Sequence, residues 1–165
     1  MVAQKKEELA EKTEQARRKN NIILHGKKEP VTDHDSDLEF ATKFIDTLHI
    51  GTINLKKVER IGKLSEGKTR PLKITLKTVE DKGKILTNLR HLKGKPEFDS
   101  IHVTEDFTFN ERKLIREFSD LAKQKSSQEE DPNYIFRVRG NPKNGLFLKR
   151  MRKISSNAPK PPFKM

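Results

Sequence analysis

The C-terminal part of the sequence carries the residues best suited to bind a polyanion. Residues 132–153 contain seven lysines and arginines and no acidic residue. Two short strands are predicted over 134–139 and 146–151, and the segment between them ends in Asn144-Gly145, which is typical of a β-hairpin turn. Basic side chains on such a ribbon would contact phosphates, with an affinity that falls steeply with salt. The candidate contacts are Arg137, Arg139, Lys143, Lys149, Arg150, Arg152 and Lys153.

The same hairpin contains three aromatic residues, Tyr134, Phe136 and Phe147. Aromatic rings next to cations could stack on unpaired bases, and Tyr134 is retained as a candidate contact. The rings could also form the hydrophobic core between the hairpin and a preceding helix, and we expect this for at least two of the three.

The overall charge also favours an acidic partner. The chain has 36 lysines and arginines against 24 acidic residues, a formal net charge of +12. The excess is concentrated in residues 132–165, which hold nine basic residues and no acidic ones. Nucleic acid is the first partner that this charge suggests and an anionic membrane the second. The alternative is a charged surface that merely keeps the protein soluble.

Several classes of protein are not indicated. The sequence has no cysteine, which excludes disulfides and thiolate zinc sites. It has no visible signal peptide and no apolar run of membrane-spanning length, so we expect no membrane partner. These features predict a cytoplasmic protein, with nuclear entry left open.

Residues 70–92 change their hydrophobic period and thereby predict a strand followed by a helix. Leu72, Ile74 and Leu76 alternate with polar residues, and apolar residues then recur at helical spacing. Thr78 stands three residues before Asp81, as in a capping box, and Gly94 is placed to end the helix. The outward face of the strand carries two further candidate phosphate contacts, Lys73 and Lys77.

The pattern repeats through residues 21–104 and predicts an α+β fold. Strand and helix signals follow in the order βαββαβ, a ferredoxin-like arrangement of the kind found in RNA-recognition-motif domains. Ile22 and Leu24 are expected to point inward and Ile23 outward. The positions where such domains carry base-stacking aromatics hold Ile23, Lys73, Thr75 and Lys77, so base-specific reading is not expected on this sheet.

Three further segments flank this domain. Residues 1–20 predict a helix in which Val2, Leu9 and Ala16 fall seven apart, so it is either the end of a coiled coil or a solvated helix. Residues 105–153 predict a helix followed by the hairpin, and residues 154–165, rich in Ser, Pro and Lys, predict a disordered tail.

No catalytic constellation stands out. Asp33, His34 and Asp35 could bind a metal, but adjacent loop residues point in different directions, and a solvated loop is the simpler interpretation. A nuclease using Asp33, Asp35 and Asp37 is a weak alternative for the same reason. We expect a binding protein that needs no cofactor and no metal.

The ordered features resemble a known family. Residues 17–26, with Arg17, Arg18 and two asparagines before an apolar strand, are similar to the start of the RNA-binding region in proteins encoded by the first open reading frame of LINE-type (non-LTR) retrotransposons. Later landmarks of the family are similar to Arg60–Lys63, Arg70–Leu72, Lys82–Leu86, Val103–Asp106, Tyr134–Gly140 and Lys149–Lys153.

The resemblance covers about residues 17–153 and implies a coiled-coil trimerisation segment, an RNA recognition motif and a C-terminal domain. Together these would bind single-stranded RNA, package the element's RNA into a ribonucleoprotein and act as a nucleic-acid chaperone. By position, Arg17, Arg18, Arg70, Arg137 and Arg139 would contact RNA, and single-stranded DNA is a further ligand. The alternative function is a protein-interaction or homo-oligomerisation module with a solubilising basic tail.

Overall fold

The computed structural model describes residues 2–29 and 35–153. It shows helices and antiparallel sheets in one chain, which confirms the predicted α+β class. The chain divides into two compact units, Met1–Thr108 and Phe109–Met165. The Asp33-His34 pair and the predicted tail at 154–165 lie outside the described residues. Among the described helices, none combines the length and the apolar character needed to cross a membrane.

The described residues of unit 1 form three helices, four strands and two short 3-10 turns. In chain order they are α1 (Val2–Arg18), β1 (Asn21–His25), α2 (Asp35–Thr47), β2 (Leu55–Arg60), β3 (Leu72–Leu76), α3 (Val79–Asn88), the turns Leu89–Leu92 and Pro96–Phe98, and β4 (His102–Glu105). Unit 2 contains α4 (Phe109–Ser127), β5 (Tyr134–Asn141) and β6 (Gly145–Arg152).

The four strands of unit 1 form one antiparallel sheet in the order β2-β3-β1-β4. Because side chains alternate along a strand, one face of the sheet collects Leu24, Leu72 and Ile74, all fully buried. Phe44 and Leu48 of α2 belong to the same core. The period-2 pattern in the sequence therefore locates the buried face correctly.

The other face of β1 is less open than its sequence suggests. Ile23 was expected to point outward, yet only 7% of it is exposed. β1 is a central strand, and Ile23 lies between Lys73 on β3 and Thr104 on β4. Neighbours on both sides bury this side chain, whereas a residue on an edge strand would have a neighbour on one side only.

The start of α3 is as predicted and its end is not. The hydroxyl of Thr78 accepts a hydrogen bond from the backbone N–H of Asp81 at 3.1 Å, which confirms the predicted N-cap. The α-helix ends at Asn88, and the apolar residues that follow form a 3-10 turn (Leu89–Leu92) before Gly94. The helical spacing of apolar residues persists because a 3-10 turn also places residues i and i+3 on one side.

In unit 2 the hairpin packs on α4. The backbone N–H of Phe136 donates to Ser126 Oγ at 2.8 Å, and the Lys125 ammonium lies 5.7 Å from the centre of the Phe136 ring. The hairpin turn depends on Gly140, whose φ of +93° is in the left-handed region. A Cβ there would lie 2.2 Å from the carbonyl oxygen of Gly145, so no other residue fits without moving the turn.

Candidate nucleic-acid interface

One face of the β5–β6 hairpin concentrates exposed cations around an exposed phenyl ring. Arg137 is paired with Lys149 across the ribbon, and Arg139 is paired with Phe147. Directly opposite side chains in an antiparallel ribbon lie about 5 Å apart at Cβ, and residues two apart on one strand share a face. Arg137, Arg139, Phe147 and Lys149 therefore form one surface, called here the basic face.

All four residues of the basic face are exposed. Phe147 is 55% exposed, although burial would stabilise a phenyl ring. Arg139 contacts the carbonyl oxygen of Val138 at 3.2 Å and Met151 Sδ at 3.0 Å. Within the described part of the chain, Arg137, Arg139 and Lys149 form no ion pair with a carboxylate. Their charges are available to a ligand.

The opposite face of the hairpin is a structural face. Tyr134, Phe136 and Val138 lie there half-buried, together with Leu148 on β6. The expectation that at least two of the three aromatic rings belong to the hairpin's own core agrees with this placement. The aromatic residue left exposed is Phe147, and alternation on β6 together with the turn position could have singled it out from the sequence.

Arg150 lies on this structural face and is already occupied. Its guanidinium donates to both carboxylate oxygens of Glu129 at 2.7 Å, and its Cζ atom lies 3.9 Å from the centre of the Tyr134 ring. The hydrogen bonds from Arg150 lower the pKa of Glu129 to about 2. Both Arg150 and Tyr134 are therefore engaged within unit 2, on the side away from Arg137 and Arg139.

The remaining hairpin candidates lie around the ribbon. Arg152, the register partner of Tyr134, is exposed on the structural face. Lys143 is in the turn, where its backbone N–H donates to Asn141 Oδ1 at 2.9 Å. Lys153 follows β6, and its backbone N–H donates to the carbonyl of Asn133 at 2.6 Å.

In unit 1, the predicted RNA contacts at the end of α1 are held in ion pairs. Arg17 and Arg18 both donate to Glu14, and their hydrogen bonds lower the pKa of Glu14 to about 2. Arg18 also donates to the buried carboxylate of Asp106 at 2.8 Å. The side-chain amide of Asn21 donates to the second oxygen of Asp106 at 2.9 Å. The Arg-Arg-Lys-Asn-Asn segment thus ties α1 and β1 to the chain that follows β4.

Arg70 and Lys73 are likewise paired. The Arg70 guanidinium and backbone N–H donate to the carboxylate of Glu29, with the shortest bond at 2.8 Å, and lower the pKa of Glu29 to about 2. Lys73 lies 2.5 Å from Glu59, which also pairs with Lys57. Lys77, just beyond β3, is exposed and has no ion pair within the described residues.

The most buried charged pair was not singled out in the sequence. Arg60 on β2 donates to both oxygens of Asp37 on α2 and to the carbonyl oxygens of Lys27 and Arg70. The two side chains are 5% and 8% exposed. Asp37 was a candidate for metal-dependent nuclease chemistry, and this pair occupies its carboxylate.

The hairpin groups on one face three exposed cations without carboxylate partners among the described residues. In unit 1, by contrast, the predicted contacts Arg17, Arg18, Arg70 and Lys73 are paired with carboxylates. A phosphate approaching Arg18, Arg70 or Lys73 would have to displace a carboxylate, whereas one approaching Arg137 or Lys149 would not.

No protein-family model matches this chain, and no curated protein matches its sequence significantly.

Proposed function

We propose that this protein binds single-stranded nucleic acid, RNA in the first place, through the basic face of its hairpin. The observation that carries the proposal is the grouping of Arg137, Arg139 and Lys149 around the exposed ring of Phe147, without a carboxylate anywhere in residues 132–153. Cations supply phosphate attraction, and an aromatic ring supplies a surface on which an unpaired base stacks.

Phe147 favours an unpaired strand over a duplex. The bases of a duplex already stack on one another, so their faces are closed to a side chain, whereas a single strand can place a base on the ring. Stacking and phosphate contacts do not read base edges, and the binding is therefore tolerant of sequence. Arg137 and Arg139 lie two residues apart along β5 and would contact successive phosphates of one strand.

We also propose that unit 1 is an RNA-recognition-motif-like domain that serves mainly as a scaffold. The antiparallel order β2-β3-β1-β4 and the βαββαβ succession support this kinship. The sheet face opposite the core has Ile23 and Thr75 in place of stacking aromatics, Ile23 is buried, and Lys73 is paired with Glu59. Lys77 remains as an accessible cation for a secondary phosphate contact.

The resemblance to first-open-reading-frame proteins of LINE-type retrotransposons supports a more specific role. In that role the chain packages the element's RNA into a cytoplasmic ribonucleoprotein and acts as a nucleic-acid chaperone. Sequence-tolerant binding suits packaging, because the protein must coat a long RNA irrespective of local sequence.

The test is a salt titration of the full chain with single-stranded RNA, single-stranded DNA and duplexes of equal length. We expect tighter binding to single strands and a logarithmic affinity that falls linearly with the logarithm of salt. Arg137→Ala combined with Arg139→Ala should reduce that slope by about 1.4, because each phosphate contact to a single strand contributes about 0.7.

A matched control removes the same charge from unit 1. Lys84 and Lys93 are both exposed and form no ion pair within the described residues, so Lys84→Ala with Lys93→Ala should leave the salt slope close to that of the wild type. An equal reduction of the salt slope in the two double variants would argue that net charge alone drives binding. An unchanged slope in the arginine variant would place the site elsewhere.

Self-assembly through α1 is a second candidate function, favoured by one observation. Leu9 is 66% exposed in the middle of the helix, at the seven-residue spacing of a coiled-coil seam. A mass measurement of the full chain in solution, with Leu9→Lys as the variant, tests this. An oligomer that the lysine dissociates supports assembly, and a monomeric wild type would argue against it.

A further inference from the structure

Two histidines face each other on the side of the unit 1 sheet opposite the hydrophobic core. His25 on β1 and His102 on β4 are register partners, and their ring centres lie 6.0 Å apart with the planes inclined by 37°. His25 is half-buried and His102 is exposed. Thr104, two residues along β4, has its Oγ1 atom 3.2 Å from Nε2 of His25. Neither ring has a role in the core or in the basic face.

We propose that His25 and His102 form a two-histidine site for a borderline divalent transition-metal cation, Zn²⁺ in the first place. A zinc ion about 2.1 Å from one nitrogen of each ring, in tetrahedral geometry, holds the ring centres about 5 Å apart. The observed separation of 6.0 Å is close to this value. A small change of χ1 at the exposed His102, within its rotamer well, brings the ring centres closer, and the broad χ2 torsion of histidine lets both rings aim a nitrogen at the ion.

The surroundings suit a metal ligand. In the tautomer in which Nε2 of His25 donates a hydrogen bond to Thr104 Oγ1, Nδ1 carries the lone pair that can bind a metal. The Thr104 hydroxyl then holds the ring in place. Imidazole nitrogen is a preferred ligand of Zn²⁺, Ni²⁺ and Cu²⁺ and not of Mg²⁺.

The bound metal would stabilise the sheet and would not serve as a catalytic centre. The described residues contain no group of three or more potential ligands, so water would fill the other coordination positions and binding would be weaker than at a four-ligand structural site. In the sheet as described, β4 is an edge strand and pairs with β1. A cation shared by His25 and His102 would pin that edge strand to the centre of the sheet and stabilise unit 1.

The test is thermal unfolding of the full chain during titration with ZnCl₂, with MgCl₂ as the comparison. We expect zinc and not magnesium to raise the melting temperature of the wild type, since a ligand that binds only the folded state stabilises it. His102→Gln, a change at an exposed position, should abolish the rise. His91→Gln is the matched control, because His91 lies 6.5 Å from His49 but its Nδ1 is 2.7 Å from the Leu48 carbonyl oxygen.

A second variant and a second measurement separate the outcomes. His34→Gln should keep the rise in melting temperature with zinc. If this variant no longer responds to zinc, the metal binds in the Asp33–Asp35 segment and the proposal is overturned. In the wild type, zinc should shift the ring NMR signals of His25 and His102 and leave those of His49 and His91 in place. An unchanged zinc response in His102→Gln, or unperturbed signals of both proposed ligands, would also overturn it.

Discussion

The guanidinium of Arg60 donates hydrogen bonds to both carboxylate oxygens of Asp37, at 2.8 and 2.5 Å, with both side chains almost fully buried. The same guanidinium donates to the carbonyl oxygens of Lys27, Lys28 and Arg70. One side chain on β2 thereby connects the start of α2 to the segment that follows β1 and to the segment that precedes β3.

Asp37→Asn should therefore destabilise the protein severely. It leaves the charge of Arg60 buried without its partner, and breaking a buried pair in this way costs about 3–5 kcal/mol. Denaturant unfolding monitored by circular dichroism measures the loss. Lys43→Ala, which breaks the exposed pair with Glu97, is the control and should cost roughly 0–1 kcal/mol. Comparable losses in both variants would mean that burial of the Arg60 pair is not what matters.

Arg70→Ala should leave the affinity for single-stranded RNA unchanged. Its guanidinium is held by Glu29, so it has no free charge to offer a phosphate. Arg137→Ala should weaken binding, because Arg137 has no carboxylate partner within the described residues. The measurement is the affinity of each single variant at fixed salt. A loss with Arg70→Ala equal to that with Arg137→Ala would show that RNA displaces Glu29 and that unit 1 shares the interface.

Phe147→Ala should weaken binding to single-stranded RNA by roughly 5- to 150-fold, which corresponds to the loss of about 1–3 kcal/mol for one stacked base. The salt slope should stay the same, since no charge is removed. Phe109 is 71% exposed and lies at the start of α4 in the same unit, so Phe109→Ala is the matched control. Quenching of a fluorescent base by the wild type and not by Phe147→Ala would report the stack directly; equal quenching by both would exclude it.

Acid should weaken unit 2 through Glu129. The pKa of this carboxyl is lowered from 4.5 to about 2 by hydrogen bonds from Arg150. A depressed pKa in the folded state gives stability that is present above pH 4.5 and is lost as the pH falls toward 2. Glu129→Gln should remove that part of the pH dependence, and Glu130→Gln, at an exposed neighbour, should not. Unfolding at a series of pH values tests this, and identical acid profiles for the wild type and Glu129→Gln would contradict it.

The sequence by itself determined the type of the main elements, the start of α3 and the split of the hairpin into two faces, while the end of α3 differs from its prediction. The alternation of Leu72, Ile74 and Leu76, the capping of α3 by Thr78 and the turn before Gly145 all act over a few residues. Periods of 2 and 3.6 residues report which side of an element faces the core, so they can be read without knowing the fold. The same alternation places Arg137 and Arg139 on one face of the hairpin and Tyr134 on the other.

Only the tertiary structure decided which basic residues remain available. Arg18 meets Asp106 across 88 positions of the sequence, and Arg70 meets Glu29 across 41. No local pattern marks these partners, because ion pairing depends on strand order and on where each loop returns to the sheet. Arg18 and Arg70 look like ligand contacts in the sequence and act as internal ties in the fold. In the hairpin, by contrast, no carboxylate follows Glu129-Glu130-Asp131 along the chain, and Arg137 and Lys149 keep their charges exposed.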